Sequence, residues 1–449
     1  MSLQWLSLVG VIWLQSINGT NSNFPAYSSE LKRILSITQT QLNNLAAASD
    51  AGKLLGWISG TAAAHLPLWI VLRNWCNSWP NWLWSTVSFP HKPNLISFLL
   101  IATGLSTSYI GFSAKIYTDI VDAVAPNSPS ERAKLFLLLN SVVPIGVCIV
   151  AAPLARDVIV GKSRKLAGGF IFMFLITIFT GIYAVTTSLG SAIPRFLHPL
   201  TILIGVILFL ILPLVIPLSE KIRETLQQKC LIRIHDEGAS VTSMENGEKL
   251  EEEEEEKGNL SNLFEESVEE IGVKIAESRG CSATSSLVSL SSAFSFFGRL
   301  IPSVHDYFFS KSKYMVSRPA AMACMIIPMC GAFFLLVNKQ DIWLYISTAI
   351  IGICTGAITT ISVSTTTQLF GTKNFGVNHN ILVSNIPIGS FLFGDFAALL
   401  YNTQKLSGQA NCIGHKCYQT TFIIWGFLCS LGAFLGFVLH YRTKKVVIT

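Results

Sequence analysis

Long apolar stretches separated by short charged loops set the pattern of this chain. Eleven stretches of at least 19 residues contain no Asp, Glu, Lys or Arg. Because about 20 mostly apolar residues cross a ~30 Å hydrocarbon core as a helix, the pattern predicts a polytopic helical membrane protein. The charge-free stretches are 1–29, 54–72, 93–114, 135–155, 166–194, 196–219, 280–298, 319–338, 342–372, 374–394 and 417–441.

The stretches differ in how well each fits a membrane span. Residues 74–91 are rich in Trp and contain two Pro and several Asn and Ser, which predicts a poor span. Residues 42–64 form a plausible second helix after a first one near the start of the chain. Better spans are predicted near 95–113, 135–152, 168–189, 197–217, 284–302, 319–337, 343–366, 377–400 and 420–441.

Composition agrees with a membrane protein and excludes three other classes. Hydrophobic residues make up 51% of the chain and charged residues 13%, whereas an average soluble protein has about 25% charged residues. A soluble enzyme, a secreted disulfide scaffold and a disordered chain are therefore excluded. The net charge of +6 does not indicate nucleic acid as a partner, because the basic residues lie in short loops, as expected of a cytoplasmic membrane face.

The acidic residues are concentrated in one segment that divides the chain. Residues 236–277 hold 15 of the 26 acidic residues and only three Lys. A run such as Glu251 to Glu256 repels itself and is usually disordered. We predict an N-terminal transmembrane domain over 1–218, an acidic disordered cytosolic linker over 219–283 and a C-terminal transmembrane domain over 284–449.

The positions of the basic loops disagree with the number of spans predicted between them. Basic clusters lie at 156–165, 221–233, 311–318 and 442–445, and the positive-inside rule places all four on the cytosolic side. Two spans separate the first pair and four separate the last pair, but only one convincing span lies between 233 and 311. Either the segment 284–302 re-enters the same side, or one helix is missing.

Two sets of motifs, one in each half, form a recognisable series. The first half contains WLSLVGVIWLQSINGTNSNFPAYSSELKRIL, QTQLNNLAAASDAGKLLGWISG, LPLWIVL and GLSTSYIGFSAKIYTDIVDA. The second contains SSAFSFFGRLIPS, LFGTKNFGVNHNILVSNIPIGSFLFG and CIGHKC. Together they resemble the plant nodulin-like branch of the major facilitator superfamily. The resemblance implies an all-α membrane bundle of major-facilitator type, with about 10–11 transmembrane helices in two halves.

The chain departs from the pattern of that family at two places. After LPLWIVL, the Trp-rich residues 74–91 replace the rest of a third helix and a fourth one. At 275–281, EEIGVK joins directly to IAESRGC, where the family has a further helix. The second departure coincides with the topology conflict, so both observations indicate a missing helix.

Two pairs of opposite charges are candidates for a proton or substrate pathway. Asp50 and Lys53 are spaced i, i+3, and Lys115 and Asp119 are spaced i, i+4, so each pair shares one helix face. Ionisable groups within a membrane usually face a bundle interior or a cavity. The carboxylate could titrate with the Lys as its charge partner. The alternative is that each pair only neutralises itself near a helix end.

Uncharged side chains and one Arg complete the candidate list. Tyr27, Asn43 and Asn44 match the family's YS…LNNLA pattern, and Asn385 lies near a helix start in the second half. Such amides either bind a polar ligand or hydrogen-bond between helices. Arg299 resembles the Gly-Arg latch at the cytosolic ends of facilitator helices, with a positive-inside anchor as the alternative.

The cysteines and the search for known catalytic motifs indicate whether the chain binds a metal or another cofactor. Cys412 and Cys417 flank His415, and three such residues are a weak zinc signal. Span counting places this loop away from the cytosol, which favours a Cys412–Cys417 disulfide. No Walker, HExxH or GxSxG motif occurs. We therefore expect no enzyme activity, no metal and no cofactor, and any transport would run on gradients.

The sequence and the resemblance together predict a secondary transporter, or a facilitator of diffusion, for a small solute. The expected partners are the lipid bilayer, an unknown small-molecule solute and, as a candidate coupling ion, protons. The alternative is a non-transporting membrane protein, such as a receptor, a scaffold or a nuclear-fusion factor. The expected location is the plasma membrane or an endomembrane.

Overall fold

The computed structural model contains only helices and their connections in its described residues. These are residues 2–19, 21–38, 41–42, 44–45, 93–125, 128–151, 154, 167–190, 198–234, 284–309, 317–370, 375–403 and 416–446. The α-helices are α1 (Ser2–Ile17), α2 (Pro25–Leu35), α3 (Pro93–Val124), α4 (Pro129–Ala151), α5 (Ala167–Gly190), α6 (Pro199–Ile211), α7 (Val215–Ile234), α8 (Thr284–Phe309), α9 (Arg318–Leu335), α10 (Asp341–Phe370), α11 (Phe375–Val383), α12 (Asn385–Thr403) and α13 (Lys416–Val446).

The helices confirm the predicted class of polytopic membrane protein. Within the described ranges, eight helical segments are long and apolar enough to cross a membrane, and α1 is a shorter apolar helix. Only helices and closed barrels can satisfy every backbone hydrogen bond inside lipid. The helix α3 has 32 residues, so it is about 48 Å long. It extends beyond the predicted span of 95–113 because its charged residues are paired inside the protein.

A short turn separates α1 from α2. The helix α1 ends at Ile17, Asn21–Asn23 form a 3₁₀ turn, and α2 begins at Pro25. Proline suits the first position of a helix, since its missing N–H would have no helical partner there. The start of α2 is therefore fixed by the sequence itself, and the side chains of Asn18 and Asn23 beside the turn are buried.

Two apolar cores share the helix α8. The first core joins α1, α3 and α5 and includes Phe296 of α8. The second joins α9, α10 and α13 around Phe333 and Trp425, and Leu287 of α8 belongs to it. The rings of Phe333 and Trp425 meet edge to face with centroids 5.7 Å apart. The helix α8 thus connects the two predicted halves.

Glycines allow close contact between α8 and its neighbours. An ideal Cβ on Gly111 of α3 would lie 2.6 Å from the backbone N of Phe296. On the other face of α8, a Cβ on Gly356 would lie 2.3 Å from Ser295 O, and one on Gly298 would lie 2.1 Å from Ile353 O. Small residues at such contacts let membrane helices approach closely, so α3, α8 and α10 form a tight layer.

The directions of the helices show which part of the chain contains the topology conflict. Tyr183 near the end of α5 donates to Ile202 O near the start of α6, at 2.9 Å, so α6 and α7 run antiparallel to α5. The start of α8 lies beside the end of α5, where Ser188 Oγ is 3.3 Å from Ser289 O. The end of α7 and the start of α8 therefore lie on opposite sides of the bundle.

The helix α8 is long enough to cross the membrane over Ser286–His305, which argues against a re-entrant segment. The conflict therefore lies in residues 235–283, which are outside the described residues. The helix α7 continues to Ile234, inside the predicted linker.

Candidate functional site

Lys115 and Asp119 of α3 form a buried ion pair. The side chain of Lys115 is 1% exposed and that of Asp119 is 9% exposed. Lys115 Nζ donates to Asp119 Oδ1 at 3.1 Å and lies 3.0 Å from Oδ2. Oδ2 is not aligned for a hydrogen bond and has no such partner among the described residues. The i, i+4 pairing predicted from the spacing is present, and it lies inside the bundle.

Hydroxyl groups beside this pair connect α3 to α5 and α8. Thr118 Oγ1 and Ser289 Oγ are 2.8 Å apart, and Ser289 O lies next to the hydroxyl of Ser188 on α5. Ser292 donates to the carbonyl of Gly111 one turn further along α8. We call this contact, formed by Thr118, Ser188, Ser289 and Ser292, the hydroxyl seam. It joins the two halves next to the ion pair.

Amide side chains form a second polar cluster at the turn between α1 and α2. Asn23 Nδ2 donates to Asn140 Oδ1 at 2.9 Å, and Asn140 Nδ2 lies 3.2 Å from Asn23 Oδ1. Asn140 Nδ2 also donates to the hydroxyl of Tyr27 at 3.3 Å. The ring of Tyr27 stacks on Phe136 with centroids 5.3 Å apart. Asn23 and Tyr27 are buried and Asn140 is half-buried midway along α4, so the cluster lies beside the middle of that helix.

The ion pair and the amide cluster contain some of the residues predicted from the sequence but not others. Lys115, Asp119 and Tyr27 lie within them. Asn44 is exposed, and Asn385 is half-buried at the start of α12, away from both clusters. Asn43, Asp50 and Lys53 lie outside the described residues. Sequence reasoning missed Asn23, Asn140, Thr118 and Ser289, because single amides and hydroxyls in apolar stretches are common and their contacts are distant in sequence.

Arg299 lies within the helix α8 rather than in a loop. The residue is 7% exposed, and its backbone lies close to α10, where an ideal Cβ on Gly356 would be 3.0 Å from the backbone N of Arg299. A buried cation inside a span is expensive and usually has a function. The latch and the anchor predicted for Arg299 both stay predictions.

Cys417, at the start of α13, is disulfide-bonded. Cys412 lies outside the described residues, so its pairing with Cys417 stays a prediction. Over the described ranges, the structure contains no group of three or more His, Cys, Asp and Glu residues arranged to hold a metal ion.

We expect reduction to add two maleimide tags to the denatured wild-type protein, one for each sulfur of a Cys412–Cys417 bond. In Cys412→Ser, reduction should add no tag, because Cys417 would already be a thiol. Mass spectrometry of the tagged protein provides the count. The matched control is Cys324→Ser, which removes a cysteine that is a free thiol in the wild-type protein. An unchanged gain of two tags in Cys412→Ser would show that Cys417 has another partner.

The chain matches two family descriptions, one in each half. "Nodulin-like" matches residues 4–77 and 95–218, and "NFD4, C-terminal domain" matches residues 267–448. The stretch 78–94, which falls between the matched parts, overlaps the Trp-rich segment. The family match is therefore interrupted where the sequence departs from the expected helices.

One curated relative and one solved structure extend these matches. The protein NUCLEAR FUSION DEFECTIVE 4 of Arabidopsis thaliana is 31% identical over 533 aligned positions, which cover 99% of this chain and 89% of the relative. Since this chain has 449 residues, at least 84 of those positions (533 less 449) have no residue here. A crystal structure of a POT family transporter in complex with a thioalcohol-conjugated peptide matches with a TM-score of 0.50 and 14% identity, covering 98% of this chain and 96% of that one. The structural likeness concerns the fold alone.

Proposed function

Because this chain belongs to the plant nodulin-like branch of the major facilitator superfamily, together with NUCLEAR FUSION DEFECTIVE 4 of Arabidopsis thaliana, we propose that it is a secondary transporter. It moves a small solute across a membrane by alternating access between its two halves. In such proteins the solute binds between the repeats near the middle of the bilayer. The transporter fold of the POT family structure supports this proposal.

The observation that carries the proposal is the buried Lys115–Asp119 pair. Removing two charges from water costs several kcal/mol per ion, and their attraction repays it only with good geometry. A pair of apolar side chains would fill the same space at lower cost. Charges kept inside a membrane bundle usually mark a substrate or ion pathway. The ion pair therefore supports a pathway along α3.

The hydroxyl seam supports a position between the halves for this pathway. Thr118 on α3 meets Ser289 on α8 at 2.8 Å, so a change in the α3–α8 contact would alter the surroundings of Asp119. We propose that Asp119 is the titrating carboxylate and Lys115 its charge partner. Protons are then the candidate coupling ion at this pair, and a polar group of the solute would compete for Asp119 Oδ2.

The remaining candidate residues have supporting roles in this proposal. Tyr27 belongs to the amide cluster that borders α3, and Arg299 would hold α8 and α10 in register as a latch. Asp50, Lys53, Asn43 and Asn44 stay candidates for the pathway in the N-terminal half. Asn385 would contribute from the second half. No enzyme activity and no cofactor are part of the proposal.

Uptake into proteoliposomes tests the function. The full chain is reconstituted and offered radiolabelled amino acids, short peptides, nucleosides, sugars and organic acids, with and without an imposed proton gradient. We expect saturable uptake of at least one class. For that solute, Asp119→Asn should lower uptake by about tenfold or more, the change that about 1.4 kcal/mol of barrier produces.

The matched control is Asp122→Asn on the same helix. Asp122 also pairs with a base, Arg132, at 2.6 Å, but both side chains are about one-fifth exposed. We expect its uptake to match wild type. Correctly inserted protein that moves no solute of any class, with or without a gradient, would refute the transporter proposal.

Two observations favour a second function, that of a non-transporting receptor, scaffold or nuclear-fusion factor. The relative has at least 84 aligned positions that this chain lacks, and the family match is interrupted at 78–94. A bundle without those positions could keep its packing and lose its pathway. The same uptake experiment distinguishes the two functions, because a non-transporting protein would move no solute.

A further inference from the structure

Polar contacts join the ends of α9, α10 and α13 at one place. The Ser317 hydroxyl, directly before α9, hydrogen-bonds with Nδ1 of His440 near the end of α13. Arg318, the first residue of α9, donates from Nη1 to Ser364 Oγ of α10 at 3.0 Å. The residues of these two contacts are 123 and 46 positions apart. The positive-inside rule predicts that this end of the C-terminal half faces the cytosol.

The place where these helix ends meet is basic. Arg318 and His440 are half-buried, and Arg442 is exposed. We call these three residues the basic face. The adjoining sequence adds to the charge, since residues 306–318 and 440–449 together contain six Lys and Arg against a single Asp. The basic face therefore suits an anion that carries more than one negative charge.

An apolar surface of α13 leads to the basic face. Phe427, Phe434 and Tyr441 are spaced seven residues apart and are 64%, 62% and 64% exposed, so they form one stripe along the helix. Because Cys417–Arg442 is apolar enough to cross a membrane, we expect this stripe to contact lipid acyl chains. Aromatic side chains such as Tyr441 are common at the membrane–water interface. A phospholipid beside α13 would thus have its headgroup next to Arg442.

Two kinds of anion are available on the predicted cytosolic side, namely phospholipid headgroups and the acidic segment 236–277 of this chain. The surroundings favour the phospholipid. A phospholipid can contact the aromatic stripe and the basic face at once, whereas an acidic segment would use the basic face alone. Arginine also suits a phosphate group, because its guanidinium donates two parallel hydrogen bonds.

We propose that the basic face binds the headgroup of an anionic phospholipid of the cytosolic leaflet, with the acyl chains along the aromatic stripe of α13. Basic clusters at the cytosolic ends of membrane helices bind such headgroups through their charge. Arg318 and Arg442 supply the described part of that charge. The site lies in the C-terminal half, apart from the Lys115–Asp119 pair, and does not depend on the proposed transport.

Fluorescence anisotropy of a labelled short-chain phosphatidylinositol bisphosphate, added to the purified full-length protein in detergent, tests the site. Labelled phosphatidylcholine is the comparison lipid. We expect saturable binding of the phosphoinositide and none of phosphatidylcholine. Each Lys or Arg near an anionic lipid surface strengthens binding about fivefold. The double variant Arg318→Gln with Arg442→Gln should therefore raise the Kd about 25-fold.

Arg442→Gln alone provides a second test. Arg442 is exposed, so this variant keeps the contact between Arg318 and Ser364. It should fold like wild type, as measured by its melting temperature, and raise the Kd about fivefold. A Kd equal to that of wild type would show that Arg442 does not contact the lipid, against the proposal.

The matched control is the double variant Lys221→Gln with Arg223→Gln on α7. Both side chains are exposed and predicted to lie on the same side of the membrane, so the same charge is removed. Arg223 Nη1, however, lies 3.8 Å from Glu220 Oε1, and an acidic neighbour offsets its attraction for an anion. We expect the Kd of this variant to equal that of wild type.

Three outcomes would overturn the proposal. Wild type might not bind the phosphoinositide in a saturable way, or both double variants might weaken binding equally, which would mean a response to net charge alone. Binding that appears only after the run Glu251 to Glu256 is replaced by Gln would show that the acidic segment occupies the basic face instead. Each of these outcomes would leave solute uptake, and hence the proposed function, intact.

Discussion

Lys115→Met is expected to destabilise the folded protein by about 3–5 kcal/mol, the usual cost of removing one partner from a buried ion pair. The substitution leaves the Asp119 carboxylate 9% exposed and without the ammonium group 3.0 Å away. The carboxylate must then stay charged in an apolar interior or take up a proton, and both are costly. Unfolding of the purified protein by denaturant in detergent measures the loss.

The double variant Lys115→Met with Asp119→Leu should recover most of this stability. Replacing a buried ion pair by apolar residues of similar volume is often neutral or stabilising by about 1–4 kcal/mol. Comparing the double variant with Lys115→Met separates two possible reasons for keeping the charges, namely folding stability and a role in the pathway. If the pair were kept for folding alone, the double variant would be at least as destabilised as Lys115→Met, and that result would contradict our view of the pair.

Gly298→Ala is expected to have the second largest effect, a loss of about 3 kcal/mol or more, at the upper end of the range for overpacking. Its new Cβ would lie 2.1 Å from Ile353 O and 2.8 Å from Ile353 C. These are backbone atoms of α10, so no side chain can rotate away and the two helices must separate. Thermal unfolding of the purified variant, followed by near-UV circular dichroism, measures the loss.

Gly331→Ala in α9 is the matched control. An ideal Cβ at Gly331 meets no atom within 4 Å. Alanine is preferred to glycine inside a helix by about 1 kcal/mol, so this variant should be as stable as wild type or slightly more stable. Equal melting temperatures for Gly298→Ala and Gly331→Ala would mean that α8 and α10 do not approach as closely as the structure indicates.

The class of fold could be predicted from the apolar stretches because the membrane restricts the alternatives. Charge-free stretches such as 166–194 and 417–441 correspond to α5 and α13. Charges, however, did not mark the end of α3, which continues through Lys115 and Asp119 to Val124. An ion pair that is satisfied inside the bundle can be carried by a span, and a count of charges cannot recognise this.

The candidate site could be predicted only where its contacts are local. Lys115 and Asp119 are one helical turn apart, so their spacing predicted the pair. The contact between Asn23 and Asn140 joins residues 117 positions apart, and no periodicity in the sequence indicates it. No periodicity indicates the close approach of α8 to α10 either, where a Cβ on Gly298 would lie 2.1 Å from Ile353 O.

Counterflow in proteoliposomes with the double variant Lys115→Met and Asp119→Leu tests the central claim most directly. The measurement follows exchange of a labelled solute that the wild-type protein has been found to carry, beside the folded Asp122→Asn protein. We predict that the double variant melts like wild type and exchanges solute about tenfold more slowly or not at all. A double variant that is folded and exchanges solute at the wild-type rate would show that the buried ion pair is no part of the pathway.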